Sequence, residues 1–212
     1  MIFNDRHEAG IELAKKLAQY RGKKDVIVLA IPRGGLEVGF EIARMLSVPL
    51  DIVVTKKISY PGDPEFAIGA ASADDFIVDN EFEATADNAY LHRQVSELRK
   101  RIKEVYEKYR KGMKQLPVKG KTVIICDDGL ATGHTALAAV RLLKKQGVKK
   151  IVVAVPVAPQ DTIDRIRAEA EVVCLHVPHY FIAIGEFYRH FPQLTDEEAM
   201  RYLNEANKIS KE

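Results

Sequence analysis

Five short apolar runs constrain what this chain can fold into more than any other feature: VIVLAI (26–31), DIVVT (51–55), TVIICD (122–127), KIVVAVP (150–156) and EVVCLHV (171–177). Uninterrupted runs of this length suit strands buried on both faces of a parallel sheet; half-wet strands alternate instead. Amphipathic stretches separate them. Helices are predicted over 5–20, with Asn4 or Asp5 as cap and Ala9, Leu13, Leu17 and Tyr20 on one stripe, and over 36–46, 133–146 and 161–170. Strands alternating with helices through right-handed crossovers imply a doubly wound α/β fold with a mostly parallel five-stranded sheet. In the common strand order 2-1-3-4-5, the first and third strands lie side by side where the winding reverses, and ligands bind at their carboxyl ends.

The stretch between the second and third strands departs from that alternation. KKISYPGDPEF (56–66), with two prolines and a glycine, is predicted as a loop. AIGAASADDFIVDN (67–80) is predicted as a hairpin turning at 73–75, and 87–111 as a long helix with Leu91, Val95, Leu98, Ile102, Val105 and Tyr109 on one stripe. That stripe packs on its own domain or forms a coiled-coil seam, which makes the helix the candidate surface for a homodimer. A last helix over 195–208 opens with a capping box, Thr195 and Glu198. The chain, 1–212, is expected to be one domain, with a core over about 22–177, a hairpin and long-helix insertion at 67–115, and a small C-terminal hood over about 178–212.

Composition narrows the partners. Lys and Arg total 32 against 30 Asp and Glu, a formal charge of +2, and no basic run of the kind that tracks nucleic acid occurs, so no nucleic-acid partner is expected. No apolar stretch approaches the roughly 20 residues of a membrane span. The N-terminus, MIFNDRHEAG, has no apolar signal core, so no membrane partner is expected and a reducing cytoplasm is the default location. Cys126, inside an apolar run, reads as a buried thiol. Cys174, His176 and His179 have metal-like spacing, but no fourth ligand is visible and Cys174 falls within the last strand.

Two stretches sit where the topology places ligands. CDDGLATGHT (126–135) runs from the third strand through two carboxylates, Asp127 and Asp128, into Gly129, Leu130, Ala131, Thr132, Gly133, His134 and Thr135 at the mouth of a helix. Exposed amides and the helix dipole favour an anion there; Gly129 and Gly133 let the backbone curl round it, and Thr132 and Thr135 add hydroxyl donors. His134 stands where a P-loop has lysine, which disfavours a nucleoside triphosphatase. Ionised Asp127 and Asp128 accept hydrogen bonds, so they suit a diol or a metal's water shell; the plainer alternative is that one of them caps the helix. The second stretch is PRGG (32–35), whose Arg33, Gly34 and Gly35 suit a diphosphate or form an ordinary strand-to-helix turn. Lys56 and Lys57 leave the second strand on the same edge; they face the same ligand or simply end the strand in solvent.

CDDGLATGHT, preceded by VII, closely resembles the phosphoribosyl-pyrophosphate (PRPP) motif of type I phosphoribosyltransferases. The resemblance covers most of the chain. The DRHEAG start (5–10), PGDPEFAIGA (61–70) and LTDEE (194–198) are also similar to a group of predicted phosphoribosyltransferases with no assigned acceptor. It implies the type I fold, with Asp127 and Asp128 on the ribose 2′- and 3′-hydroxyls and Gly129 to Thr135 wrapped round the 5′-phosphate. It implies that Arg33, Gly34 and Gly35 contact pyrophosphate, often through a strained peptide that exposes amides. Lys56 or Lys57 would supply the family's basic residue ahead of a mobile loop, 59–65, with Gly62 as a hinge point. Mg²⁺ is the implied cofactor, carried by PRPP with no direct protein ligand and touched by Asp127 or Asp128 through water. The hood segment HYFIAIGEFYRHF (179–191) would cover the acceptor; its Tyr180, Phe181, Phe187 and Tyr188 stack on a flat base or pack on the domain. Ala131 stands where the 6-oxopurine branch has an acidic residue, which disfavours hypoxanthine and guanine.

The expected activity is therefore transfer of a 5-phosphoribosyl group from PRPP to a nitrogenous acceptor, a base or an amine, with Asp127, Asp128, Arg33 and Lys57 carrying the chemistry. A PRPP- or nucleotide-sensing regulator of the same fold is the alternative. A sugar-phosphate phosphohydrolase lacks an activated nucleophile.

Overall fold

All five apolar runs pair into one parallel sheet in the computed structural model of the chain, which describes residues 2–79, 82 and 88–209. In chain order the strands are β1 (Val26–Ala30), β2 (Leu50–Ile52), β3 (Lys56–Tyr60), β4 (Asp63–Ala71), β5 (Phe76–Val78), β6 (Thr122–Cys126), β7 (Lys150–Val157) and β8 (Glu171–His176). The helices are α1 (Arg6–Lys16), α2 (Gly34–Leu46), α3 (Asn88–Arg110), α4 (His134–Lys145), α5 (Gln160–Arg167) and α6 (Asp196–Ile209). The main sheet runs β2-β1-β6-β7-β8, the predicted order. β1 and β6 are buried along their whole length because helices cover both faces. Val26, Val28 and Ala30 of β1, with Ile124 and Cys126 of β6, face a core shared with α1, α2, α3 and α6. Ile27, Leu29, Val123 and Ile125 face a second core with α4 and α5. This period-2 division is what a doubly wound sheet requires.

The predicted caps are present. Asp5 accepts a hydrogen bond from the Glu8 amide at 2.8 Å. Thr195 and Glu198 bond reciprocally, the Glu198 amide to Thr195 Oγ1 at 3.2 Å and the Thr195 amide to Glu198 Oε2 at 2.9 Å.

Residues 56–66, expected to be a loop, are a hairpin. β3 and β4 pair antiparallel, and β5 joins them through the turn at 73–75 that the sequence predicted. Pro61 and Gly62 mark a tight turn here, with Gly62 at φ 86°, a conformation glycine adopts freely. Ile58 and Ile68 are fully buried and give the hairpin its reason to dock. The Tyr90 hydroxyl on α3 donates to Ser59 O at 3.0 Å and adds a polar tie. β2 ends at Ile52, so Lys56 and Lys57 open β3 and do not extend the second strand.

The apolar stripe of α3 is used within this chain. Leu91, Val95, Ile102 and Tyr109 are buried in the first core, with Leu98 and Val105 packed against it, so the stripe offers no seam to a second copy. Asp87, the expected start of that helix, and Asn80 of the hairpin segment lie outside the described residues. The hood also differs from expectation. The Phe3 amide donates to Phe187 O at 2.8 Å and the Arg189 amide to Phe3 O at 2.8 Å, so the N-terminus is woven into it. α6, which falls in the span assigned to the hood, packs instead against α2, β2 and α3, because Ala199, Met200, Leu203 and Ala206 line its inner face. Among the described residues, no helix is long and apolar enough to cross a membrane.

Candidate active site

Pairing of β1 with β6 brings the two motifs together. Ala30 and Cys126 are register partners, and the Ile31 amide continues the ladder to Cys126 O at 2.9 Å. PRGG and DDGLATGHT therefore leave the sheet side by side at its carboxyl edge. Each leads into a helix whose first turn has no side-chain cap: Arg33 precedes α2, and Gly133, at φ 68°, precedes α4. The reading of one aspartate as a helix cap is thus not realised. Two uncapped amide clusters with the positive ends of two helix dipoles face one edge. The Pro32–Arg33 peptide is cis, and Arg33 is exposed.

The α4 loop is held from behind. Leu130 is buried and its amide donates to Val157 O at 2.9 Å. Thr162 Oγ1 donates to Ala131 O at 2.7 Å, and the Arg165 guanidinium donates to Thr132 O and to Thr162 Oγ1, both at 3.1 Å. These α5 groups take up loop carbonyls, while Ala131, Thr132, His134 and Thr135 remain exposed.

The acidic pair sits half-buried between the two loops. Asp127 Oδ1 accepts from the Asp128 amide at 2.8 Å. Desolvation of its carboxyl pushes the Asp127 pKa well up, the neighbouring Asp128 charge adds to this, and Arg6 opposes it. Asp128 Oδ2 accepts from Arg6 Nε at 2.8 Å, and its carbonyl accepts from the Tyr188 hydroxyl at 2.6 Å. Burial and then the Asp128 charge raise the Tyr188 pKa, so that hydroxyl stays a donor. The two carboxyl groups also lie within hydrogen-bond reach of each other. A ligand bringing hydroxyl donors to this pair would relieve the repulsion within it.

Gly34 and Gly35 are glycines because of this pair. A methyl group at Gly34 would overlap the Asp128 carboxylate, and one at Gly35 would stand 2.7 Å from Cys126 O. Gly34→Ala is therefore expected to push Asp128 off Arg6 and lower stability by about 1–3 kcal/mol, despite alanine's better helix propensity. Thermal unfolding checks it, and an unchanged midpoint would show that the two loops are not in this contact.

Other expected site residues are placed differently. Lys56 and Lys57 are both exposed on β3. Of the hood aromatics, Phe187 and Tyr188 are buried, Phe181 stacks on Phe187 with ring centroids 5.7 Å apart, and Tyr180 is 91% exposed. Packing has claimed three of the four. Cys174 Sγ contacts His176 O, and among the described residues no three metal-binding side chains gather. Arg6, Tyr188 as a donor, Thr162 and Arg165 were not singled out for the site in the sequence. Neither was Asp196, whose carboxyl is held low by bonds from Lys108 and Tyr109, with a lesser contribution from Arg33.

The fold and the loop geometry define a class: an α/β protein with a phosphate-type loop and an acidic pair at the topological switch point. Comparison with known proteins identifies it. The phosphoribosyl transferase domain family matches residues 3–187. Proteins from two strains of Mycobacterium tuberculosis, provisionally named phosphoribosyl transferases, are 40% identical over 215 residues, covering 98% of this chain and 47% of theirs. The chain thus spans about half the length of the curated relatives it matches. The crystal structure of TT1426 from Thermus thermophilus superposes with a TM-score of 0.89 at 39% identity, over 97% of this chain and 99% of that one. The chain belongs to the phosphoribosyl transferase domain family, as a type I member.

Proposed function

We propose that the chain transfers the 5-phosphoribosyl group of PRPP to a nitrogenous acceptor and releases pyrophosphate. One observation carries this: the β1–β6 pairing sets two uncapped helix mouths, one beside Arg33, next to a half-buried pair of carboxyl groups that repel each other. A molecule with phosphate at one end, a vicinal diol in the middle and diphosphate at the other satisfies all three.

In this reading the 129–135 loop amides and the hydroxyls of Thr132 and Thr135 hold the 5′-phosphate. Asp127 and Asp128 accept from the ribose hydroxyls and fix the ring. Arg33, with the amides of Gly34 and Gly35, neutralises the diphosphate as the bond from C1 lengthens and the sugar gains oxocarbenium character. The acceptor nitrogen attacks the opposite face of C1, with inversion. Lys56 and Lys57, exposed at the start of β3 a few residues after β2 ends, contribute positive charge toward the diphosphate. Two carboxylates, one already paired with Arg6, are too few to hold a divalent ion alone, so Mg²⁺ would enter with the diphosphate, and Asp127 or Asp128 would accept from its water shell. When bound, it supplies charge neutralisation to the leaving group. Ala131 lacks the acidic group that would address a 6-oxopurine, so the acceptor is another base or an amine.

The test is pyrophosphate release from PRPP with Mg²⁺ across a panel of bases and amines. Release that depends on one acceptor supports the transferase. PRPP binding with no release across the panel supports a sensor of the same fold. Absence of both binding and release would overturn the PRPP reading itself.

A further inference from the structure

We propose that Arg6 is the positioning residue of the sugar site, orienting Asp128 without touching the substrate; this rests on the phosphoribosyl reading above. Arg6 lies in the first turn of α1, more than a hundred positions from the acidic pair, and is 5% exposed. Such burial of a guanidinium is tolerated only with partners, and it has them on three elements. Nε donates to Asp128 Oδ2 at 2.8 Å and Nη1 donates to Pro192 O at 2.8 Å. The guanidinium carbon stands 3.8 Å over the centroid of the Phe191 ring. Glu37 Oε2 lies 3.9 Å from Nη1 as a more distant counter-charge.

Phe191 is itself fixed. It stacks on Tyr188 at 4.8 Å, and Tyr188 packs on Phe3 at 5.5 Å, so a continuous file of rings runs from the N-terminus through the hood to Arg6. The end of that file is one carboxylate oxygen. Asp128 is then held at three polar atoms: its amide by Asp127 Oδ1, its carbonyl by the Tyr188 hydroxyl, and Oδ2 by Arg6. A carboxylate restrained in this way binds a hydroxyl without first freezing its own rotation, which is how a supporting residue raises affinity. Lysine would supply charge without the planar fork that bonds two acceptors and stacks on a ring at once.

The test compares Arg6→Met and Arg6→Lys with the unaltered chain by calorimetric titration with ribose 5-phosphate, 2-deoxyribose 5-phosphate, 3-deoxyribose 5-phosphate and inorganic phosphate. Arg6→Met is expected to weaken ribose 5-phosphate roughly tenfold or more, the range of coupling between contacting groups. Inorganic phosphate, held by the loop alone, changes less than about twofold. For the deoxy sugar that lacks the hydroxyl taken by Asp128, the penalty of the substitution disappears. Arg6→Lys recovers only part of the affinity, and it carries the same comparison if the methionine variant fails to fold. Equal weakening of all four ligands would reduce Arg6 to a support of the fold, and undiminished ribose 5-phosphate binding would remove it from the site; either overturns the proposal. If the unaltered chain binds inorganic phosphate but none of the sugars, the PRPP reading fails first and this inference falls with it.

Discussion

Replacing Asp127 and Asp128 together with asparagine is expected to lower PRPP affinity by about 10-fold or more, since a hydrogen bond to a charged acceptor contributes roughly 1.5–3 kcal/mol and the variant leaves the pair no negative charge to offer the sugar hydroxyls. The two positions should differ in stability even though both lose binding. Burial and the adjacent charge raise the folded-state pKa of Asp127, so ionising it opposes folding. That cost is absent below the unfolded carboxylate range near 4, grows as the pH rises, and is complete above the folded value. Asp127→Asn keeps an oxygen for the Asp128 amide and removes the cost, so at neutral pH its unfolding temperature should match or exceed that of the unaltered chain. The difference should close on acidification. Asp128→Asn instead weakens the pairing of a buried Arg6 and should unfold earlier. Calorimetric titration with PRPP reads the first effect, and unfolding followed against pH reads the second. Undiminished affinity in the double variant would take the pair out of the sugar site.

The main sheet was legible because its strands are buried on both faces and so appear as unbroken apolar runs; once their order follows, the adjacency of PRGG and DDGLATGHT follows too. The hairpin was not, because β3 buries only Ile58 fully and Pro61 and Gly62 read as loop signals when they mark a turn. Arg6 was hidden for another reason. In sequence it is an ordinary first-turn residue of an amphipathic helix, and its partners at 128, 191 and 192 belong to distant segments that only the folded chain assembles. Its one trace was the DRHEAG stretch, part of the family resemblance. Thr162 and Arg165 were hidden likewise, on a helix whose function is to hold carbonyls of a loop thirty residues earlier.

Arg110→Met is expected to produce the opposite signature to Asp127→Asn: a large loss of stability with PRPP binding retained. Arg110, at the end of α3, faces Asp51 of the edge strand β2 edge-on, with Nε to Oδ1 and Nη2 to Oδ2 both at 3.0 Å. Asp51 also accepts from the Ile52 amide at 2.8 Å and the Leu116 amide at 3.2 Å, and the guanidinium lies 4.1 Å over the Tyr106 ring. Both residues are buried, so this pair is a polar tie between the insertion, the connector returning to β6 and the main sheet. Removing the cation leaves a carboxylate in the interior with only amides to satisfy it, at a cost of about 3–5 kcal/mol. For a chain of this length that corresponds to a fall of roughly 6–20 °C in unfolding temperature. Removing both charges, as Asp51→Asn with Arg110→Met, should restore much of the loss, because the penalty belongs to the unpaired charge more than to the missing pair. Recovery in the double variant would separate this explanation from simple loss of the arginine's packing, which the second substitution cannot repair; a double variant no more stable than Arg110→Met would assign the effect to packing against Tyr106.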